Sequence, residues 1–326
     1  MKYNLLGSTG IKVSAVCLGT ATFGVAPTAE HTDRLVAEAL DLGINFIDTA
    51  DVYGNRPVFD RPGAPAASER EPAEQLLGRA LRDRRDSLIV ATKSNGIVGP
   101  DINDRGLSRR HIIRRVEESL RRLDTDYIDI LYAHDPDPDT PLEQTLATYD
   151  DLIRQGKIRY IGLSNHPAWK VVHALWIADD RRQNAPVVTQ VKYNLIDRNA
   201  ERELAPACEQ LGLSIVPYAP LHGGLLADLR VLDRDTHGDQ RFGGPGFSDT
   251  EIAIARAVDA HSREWGHQPY QVSLAWLLSR PAVPSVIVGA ETTDELHANA
   301  TAADIELDPA QLQQLTDLAQ AGAMRR

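Results

Sequence analysis

Eight short apolar runs, separated by amphipathic helical patterns, constrain this chain more than any other feature. They fall at residues 15–18, 46–48, 88–92, 128–132, 158–162, 187–190, 214–217 and 286–288. Most are rich in Val, Ile and Leu without polar alternation, as parallel strands covered on both faces are. The segments between them carry helix signals. Thr28 is placed to cap a helix with Leu35, Val36, Ala39 and Leu40 on one face, ended by Gly43. Ser108 precedes a stripe of Ile112, Ile113, Val116, Leu120 and Leu123. Thr140 with Glu143, and Ser248 with Glu251, read as capping boxes, and Asp308-Pro309 opens a terminal helix. Eight strands alternating with helices predict an α/β fold, the (β/α)8 TIM barrel. It is read as one domain over residues 1–326, with an N-terminal β-hairpin at residues 3–16 and a C-terminal helix across the outside. An open doubly wound sheet would want G-x-G-x-x-G after its first strand, and Gly19-Thr20-Ala21-Thr22-Phe23-Gly24 does not fit it.

The net charge of −11 argues against nucleic acid or an anionic membrane as partner, since both want a basic face. No apolar run approaches the ~20 residues a membrane helix needs, and the first residues show no signal-peptide core, so the cytoplasm is the expected compartment. Cys17 and Cys208 lie in apolar contexts and read as buried, inert thiols. The four tryptophans, Trp169, Trp176, Trp265 and Trp276, lie on helical patterns and read as packing. Two segments interrupt the rhythm. Residues 54–72 look like an inserted loop, and residues 222–248 like a mobile one.

The chemistry is read from what ends each run. The second strand ends in Asp48, the third runs into Lys93, the fourth into His134 and the fifth into Ser164-Asn165. The sixth ends in Gln190, the seventh in Tyr218 and the eighth in Gly289. In a barrel these positions share one rim and face one cavity. Lys93 and Asp48 would pair there, because an unpaired buried charge is costly. An ammonium beside the Tyr53 hydroxyl favours phenolate, and such a tyrosine can donate a proton to a carbonyl oxygen. His134 adds a hydrogen bond that orients the carbonyl. Only six of the 35 basic residues are lysine, so a lysine at this rim carries information. The set holds no hydride source, which a cofactor must supply.

Asp48-Thr49-Ala50-Asp51-Val52-Tyr53-Gly54, Ala91-Thr92-Lys93, His134, Gly162-Leu163-Ser164-Asn165 and Gln190-Val191-Lys192-Tyr193-Asn194 resemble the aldo-keto reductases. So do Leu18-Gly19-Thr20 and Pro217-Tyr218-Ala219-Pro220-Leu221, and the resemblance covers about residues 3 to 300. It implies reversible reduction of an aldehyde or ketone, with Tyr53 as general acid, Lys93 and Asp48 tuning it and His134 orienting the substrate. It also implies that Ser164, Asn165 and Gln190 bind a nicotinamide carboxamide while Tyr218 stacks on the ring. Thr20, Pro220, Leu221, Gly223, Leu225, Gly289, Ala290, Glu291, Glu295 and Asn299 complete the implied cofactor contacts, with Leu221 to Leu226 near the pyrophosphate. Phe23 is a candidate for the substrate wall. A sugar-like or other polyhydroxylated substrate is a guess from the breadth of the family.

The adenosine end departs from the family's pattern. Members often carry a basic residue after the eighth strand, but no Lys or Arg occurs here between Arg280 and Arg325, and Glu291 and Glu295 stand instead. A carboxylate repels a 2′-phosphate and accepts from a free ribose hydroxyl. NADP(H) is therefore only narrowly favoured, with NAD(H) or dual use close behind, and Arg230, Arg234 and Arg241 are candidates to reach the phosphate. Two other readings stay open. One is a nucleotide-sensing subunit with slow turnover. The other is a Schiff-base barrel using Lys93, which leaves Ser164, Asn165, Gln190 and Tyr218 without a task. The acidic string at residues 134–139 fits no metal-ligand template and reads as a solvated loop. The oligomeric state is not legible.

Overall fold

The computed structural model describes residues 1–235, 237–238, 240 and 244–323. The hairpin comes first: β1 (Tyr3–Leu5) runs antiparallel to β2 (Lys12–Ser14), with Leu5 opposite Lys12. Eight strands follow in one sheet: β3 (Val16–Gly19), β4 (Phe46–Asp48), β5 (Ile89–Ser94), β6 (Ile128–Ala133), β7 (Ile158–Ser164), β8 (Pro186–Lys192), β9 (Ser214–Tyr218) and β10 (Val286–Val288). Their order is β10-β3-β4-β5-β6-β7-β8-β9, and all neighbours are parallel. At the seam, the Ile215 N–H donates to the carbonyl of Ala282, just before β10, at 2.7 Å. This is the predicted (β/α)8 TIM barrel.

The helices between the strands are α1 (Ala29–Asp41), α2 (Ala73–Leu81), α3 (Arg109–Leu123), α4 (Leu142–Arg154), α5 (Ala168–Asp180) and α6 (Leu204–Leu211). Then come α7 (Asp249–Glu264), α8 (Pro269–Leu278), α9 (Thr293–Ala300) and α10 (Pro309–Ala323). Ser108 and Ser248 cap α3 and α7 as the sequence predicts, the second in a full capping box with Glu251. The box expected at Thr140 does not form. Pro141 occupies the N-cap of α4, and it has no side-chain oxygen to offer. Thr28 is the N-cap of α1, but its hydroxyl meets His31 Nδ1 at 2.8 Å rather than a backbone amide. The terminal helix packs against the barrel's helices, where Trp276 Nε1 donates to Thr316 Oγ1 at 3.1 Å.

Two apolar clusters hold the barrel. The larger lies between strands and helices. The smaller fills the barrel interior with Cys17, Phe46, Ala91, Ile130, Tyr132, Val188, Val216 and Ile287, joined by Leu6 and Val13 of the hairpin. The hairpin is thus a plug. Its Gly7 N–H donates to Ser214 Oγ at 2.7 Å and its Asn4 Nδ2 to Pro284 O at 2.8 Å, both at the N-terminal ends of strands. Gly162 is required by this filling, since a Cβ there would stand 2.3 Å from the Tyr132 ring. Trp276 is packing, as expected. Trp169 and Trp176 are not: both are 61% exposed, because α5 buries Val171, Ala174, Ile177 and Ala178 on its other face.

The 54–72 segment is an ordered loop wound around one guanidinium. Arg70 is buried and donates to the carbonyls of Gly54 (2.9 Å), Pro65 (2.6 Å) and Arg56 (2.7 Å), and it pairs with Asp60 at 2.8 Å. Among the described residues no helix is long and apolar enough to cross a membrane.

Candidate active site

The parallel register delivers the polar strand ends to one rim. Asp48 is the last residue of β4, Lys93 the penultimate of β5, Ser164 the last of β7 and Tyr218 the last of β9. Strands three and five run two residues beyond the predicted ends, so Lys93 and Ser164 sit on strand backbone rather than in loops. That rigidity suits groups whose mutual distance matters.

Lys93 is 1% exposed, and its three N–H bonds all find acceptors. Nζ lies 2.5 Å from Asp48 Oδ1, 2.9 Å from Thr49 O and 3.3 Å from the Tyr53 hydroxyl. Asp48 is 2% exposed, and its second oxygen accepts from Gln190 Nε2 at 2.8 Å. Both carboxylate oxygens are therefore engaged, which fixes the carboxylate in place. Burial opposes the Lys93 ammonium, but Asp48 and Tyr53 overcome it and hold its pKa above the ordinary value. The phenol behaves otherwise. Burial pushes Tyr53 up, and the Lys93 charge pulls it back only in part, so its pKa lies above 10. The sequence-based expectation named the ammonium's pull and missed the larger desolvation.

His134 follows β6, and its ring meets the Tyr53 ring edge-on at 5.8 Å. Burial, then the Lys93 charge, lowers its pKa to about 3, so the imidazole is neutral. Asn165 takes a left-handed backbone, φ 60, which asparagine tolerates better than most non-glycine residues. There its Nδ2 donates to His134 O (3.1 Å) and Asp135 Oδ1 (2.9 Å), and its Oδ1 accepts from the Tyr218 hydroxyl at 3.1 Å. Ala219, next along from Tyr218, is left-handed too, at φ 49.

Ser164 is 1% exposed, and its Oγ is buried with no hydrogen-bond partner among the described residues. Of the three residues expected to hold a carboxamide, Asn165 and Gln190 already serve the site's own polar groups, while Ser164 carries spare hydrogen-bonding capacity. An orphaned buried hydroxyl of this kind fits a polar ligand group. Thr20 is fully buried and bonds the Asp48 carbonyl at 3.1 Å. Phe23, expected at the substrate wall, is fully buried in the main core. Phe59 stands at Tyr53 instead, ring to ring at 6.1 Å, and the sequence pattern gave no sign of it inside a Pro- and Arg-rich loop.

After β9, Pro220 and Leu225 are buried, Leu221 is half-buried and Gly223 is exposed with φ 65. After β10, Gly289 is exposed and Ala290 and Asn299 are buried. Glu291 pairs with Arg61, 2.7 Å away, so the 54–72 loop brings a cation to the segment that lacks one. Glu295 Oε2 accepts the Glu291 N–H at 2.8 Å. Arg230 is tied to Asp228, and Arg241 lies outside the described residues.

Comparison with known proteins agrees with this geometry. The profile of the Aldo/keto reductase family matches residues 15–320. The uncharacterized oxidoreductase YrpG of Bacillus subtilis (strain 168) is 36% identical, over 98% of this chain and 96% of its own length. A versiconal hemiacetal acetate reductase of Aspergillus parasiticus is 31% identical, over 97% and 96%. A probable voltage-gated potassium channel subunit beta of Oryza sativa subsp. japonica is 32% identical, over 94% and 92%. With a parallel barrel, a polar rim and relatives aligned from end to end, the chain belongs to the aldo/keto reductase family of oxidoreductases.

Proposed function

We propose that this protein reduces an aldehyde or ketone, with Tyr53 delivering the proton to the carbonyl oxygen. The observation that carries the reading is the direction of the hydrogen bonds around Lys93. All three of its N–H bonds point at acceptors, one of them the Tyr53 oxygen. The phenol oxygen therefore accepts from Lys93, and its own proton is left for another acceptor. A phenol kept protonated by burial and flanked by a fixed cation is an acid whose conjugate base is stabilised as the proton leaves. Neutral His134, edge-on to that ring, orients the same carbonyl oxygen.

A reduced nicotinamide, when bound, supplies the hydride. Ser164, with its unpartnered hydroxyl, is the residue fitted to hold its carboxamide, and Tyr218 borders that position. Asn165 and Gln190 act one step back, fixing His134, Tyr218 and Asp48. Glu291, Glu295 and Asn299 are assigned to the adenosine end. NADP(H) is placed ahead of NAD(H), and its support is Arg61, a cation at Glu291 that residues 281–324 do not provide. The substrate is a small carbonyl compound.

A second reading, a nucleotide-sensing subunit, is favoured by the similarity to a potassium channel subunit beta. The two diverge in one assay. Oxidation of NADPH and of NADH is followed with a panel of aldehydes and ketones. Turnover supports the reductase, and nucleotide binding without turnover on any of them supports the sensor.

A further inference from the structure

Between Asp48 and Tyr53 the chain carries another carboxylate, Asp51, which the proton-transfer chemistry leaves without a task. Its side chain is 0% exposed and faces α3. Arg115 of that helix, 3% exposed, donates Nε–H to Asp51 Oδ2 at 3.0 Å and binds Glu118 through Nη1. Two turns on, Arg122 Nη1 reaches the Asp51 carbonyl oxygen at 3.4 Å and Glu74 Oε2 at 3.2 Å. Glu74 Oε1 in turn accepts from Thr92 Oγ1 at 2.6 Å, next to Lys93. Two arginines of α3 thus grip the side chain and the backbone of one turn, and their network ends beside the lysine.

This pairing is poorly suited to stability alone. Asp51 Oδ1 and Arg115 Nη2 are both buried with no hydrogen-bond partner among the described residues. A buried ion pair repays its desolvation only when its remaining atoms are satisfied, and apolar residues of similar volume would hold α3 as well. What the pair adds is a tie from α3 to the turn at residues 49–53. The Asp51 N–H meets the Lys93 carbonyl at 3.3 Å, and the Tyr53 N–H meets the Ala50 carbonyl at 3.2 Å.

We propose that Asp51, held by Arg115, is a positioning residue that fixes the turn carrying Tyr53 and so sets the distance from the Tyr53 hydroxyl to the Lys93 ammonium. The inference rests on Tyr53 as proton donor. At 3.3 Å that contact already stands at the long end of a hydrogen bond, so a small slackening of the turn breaks it. The groups facing Tyr53 are Lys93, Asp48, His134, Asp135, Phe59 and Tyr218. Those facing Asp51 are Arg115, Arg122, Glu74 and Tyr149.

The test compares the full chain with Asp51→Asn and with Asp51→Asn/Arg115→Met, which removes both charges together. Five quantities are measured: the melting temperature, NADPH affinity by protein fluorescence, kcat and KM with 4-nitrobenzaldehyde, and the ζ-carbon NMR resonance of Tyr53, assigned by its loss in Tyr53→Phe. Positioning predicts unchanged NADPH affinity and KM, with kcat lowered about 10- to 100-fold, as for a reacting group displaced by a fraction of an ångström to an ångström. It also predicts a shifted Tyr53 resonance in both variants, even though the double variant regains the melting temperature. Wild-type kcat and an unmoved resonance in the folded double variant would overturn it. The resonance requires no turnover, so it decides the positioning role even where an inactive wild type overturns the reductase reading.

Discussion

Lys93→Met removes one atom group from the centre of the site, and its consequences can be worked from the contacts. Nζ currently serves Asp48, Thr49 O and Tyr53. Methionine fills similar space without charge. Asp48, 2% exposed, is left with Gln190 as its only side-chain partner among the described residues. Removing one member of a buried ion pair costs about 3–5 kcal/mol, because the other charge remains. With an unfolding entropy of ~2.1 cal/mol/K per residue over the chain, that is a fall in melting temperature of roughly 4–7 °C. Activity falls independently, since Tyr53 loses the cation that stabilises its conjugate base, a loss of about 10²- to 10⁴-fold in kcat. Differential scanning calorimetry, beside steady-state kinetics, measures both effects. A melting temperature equal to wild type would refute the charge argument.

Two further outcomes follow from the same geometry. With His134 held down to about 3, wild-type kcat/KM shows no inflection near pH 6.5; stability tied to this residue is present above its ordinary ~6.5 and lost as pH falls toward 3, and His134→Asn abolishes that acid-side loss. An inflection near 6.5 that disappears in the variant would contradict a neutral imidazole. Glu291→Arg replaces the Arg61 partner with a second cation, and kcat/KM for NADPH relative to NADH rises about 10-fold or more, as a charge-assisted contact warrants; an unchanged ratio for the two nucleotides would remove Glu291 from the cofactor site.

The barrel was legible because parallel strands buried on both faces must be apolar throughout, and runs such as 128–132 and 214–217 advertise that without any partner in view. Strand ends were less legible. Ladder hydrogen bonds carry β5 through Lys93 to Ser94 and β7 through Ser164, and backbone pairing leaves no trace in side-chain pattern. The polar rim could be read residue by residue, because each group closes an apolar run. The Lys93–Asp48 pair could be read as well, but other contacts could not: Gln190 and Asp48 stand 142 positions apart, and Phe59 reaches the Tyr53 ring by loop path alone. Arg70 looks like one more charge in a charged loop, yet it is buried at the loop's centre. Asp51 was in view within its motif, but the grip of Arg115, 64 residues on, needs the helix to be placed.

The central claim is that the Tyr53 hydroxyl gives its proton to the substrate. Tyr53→Phe deletes one oxygen and leaves the Lys93–Asp48 pair and the ring's packing in place. The direct measurement is NADPH and NADH oxidation with 4-nitrobenzaldehyde, alongside nucleotide affinity by fluorescence, for wild type and variant. The account predicts turnover by wild type and, in the variant, unchanged nucleotide affinity with kcat lowered by about 10² or more. A Tyr53→Phe protein that reduces the aldehyde at the wild-type rate would contradict it.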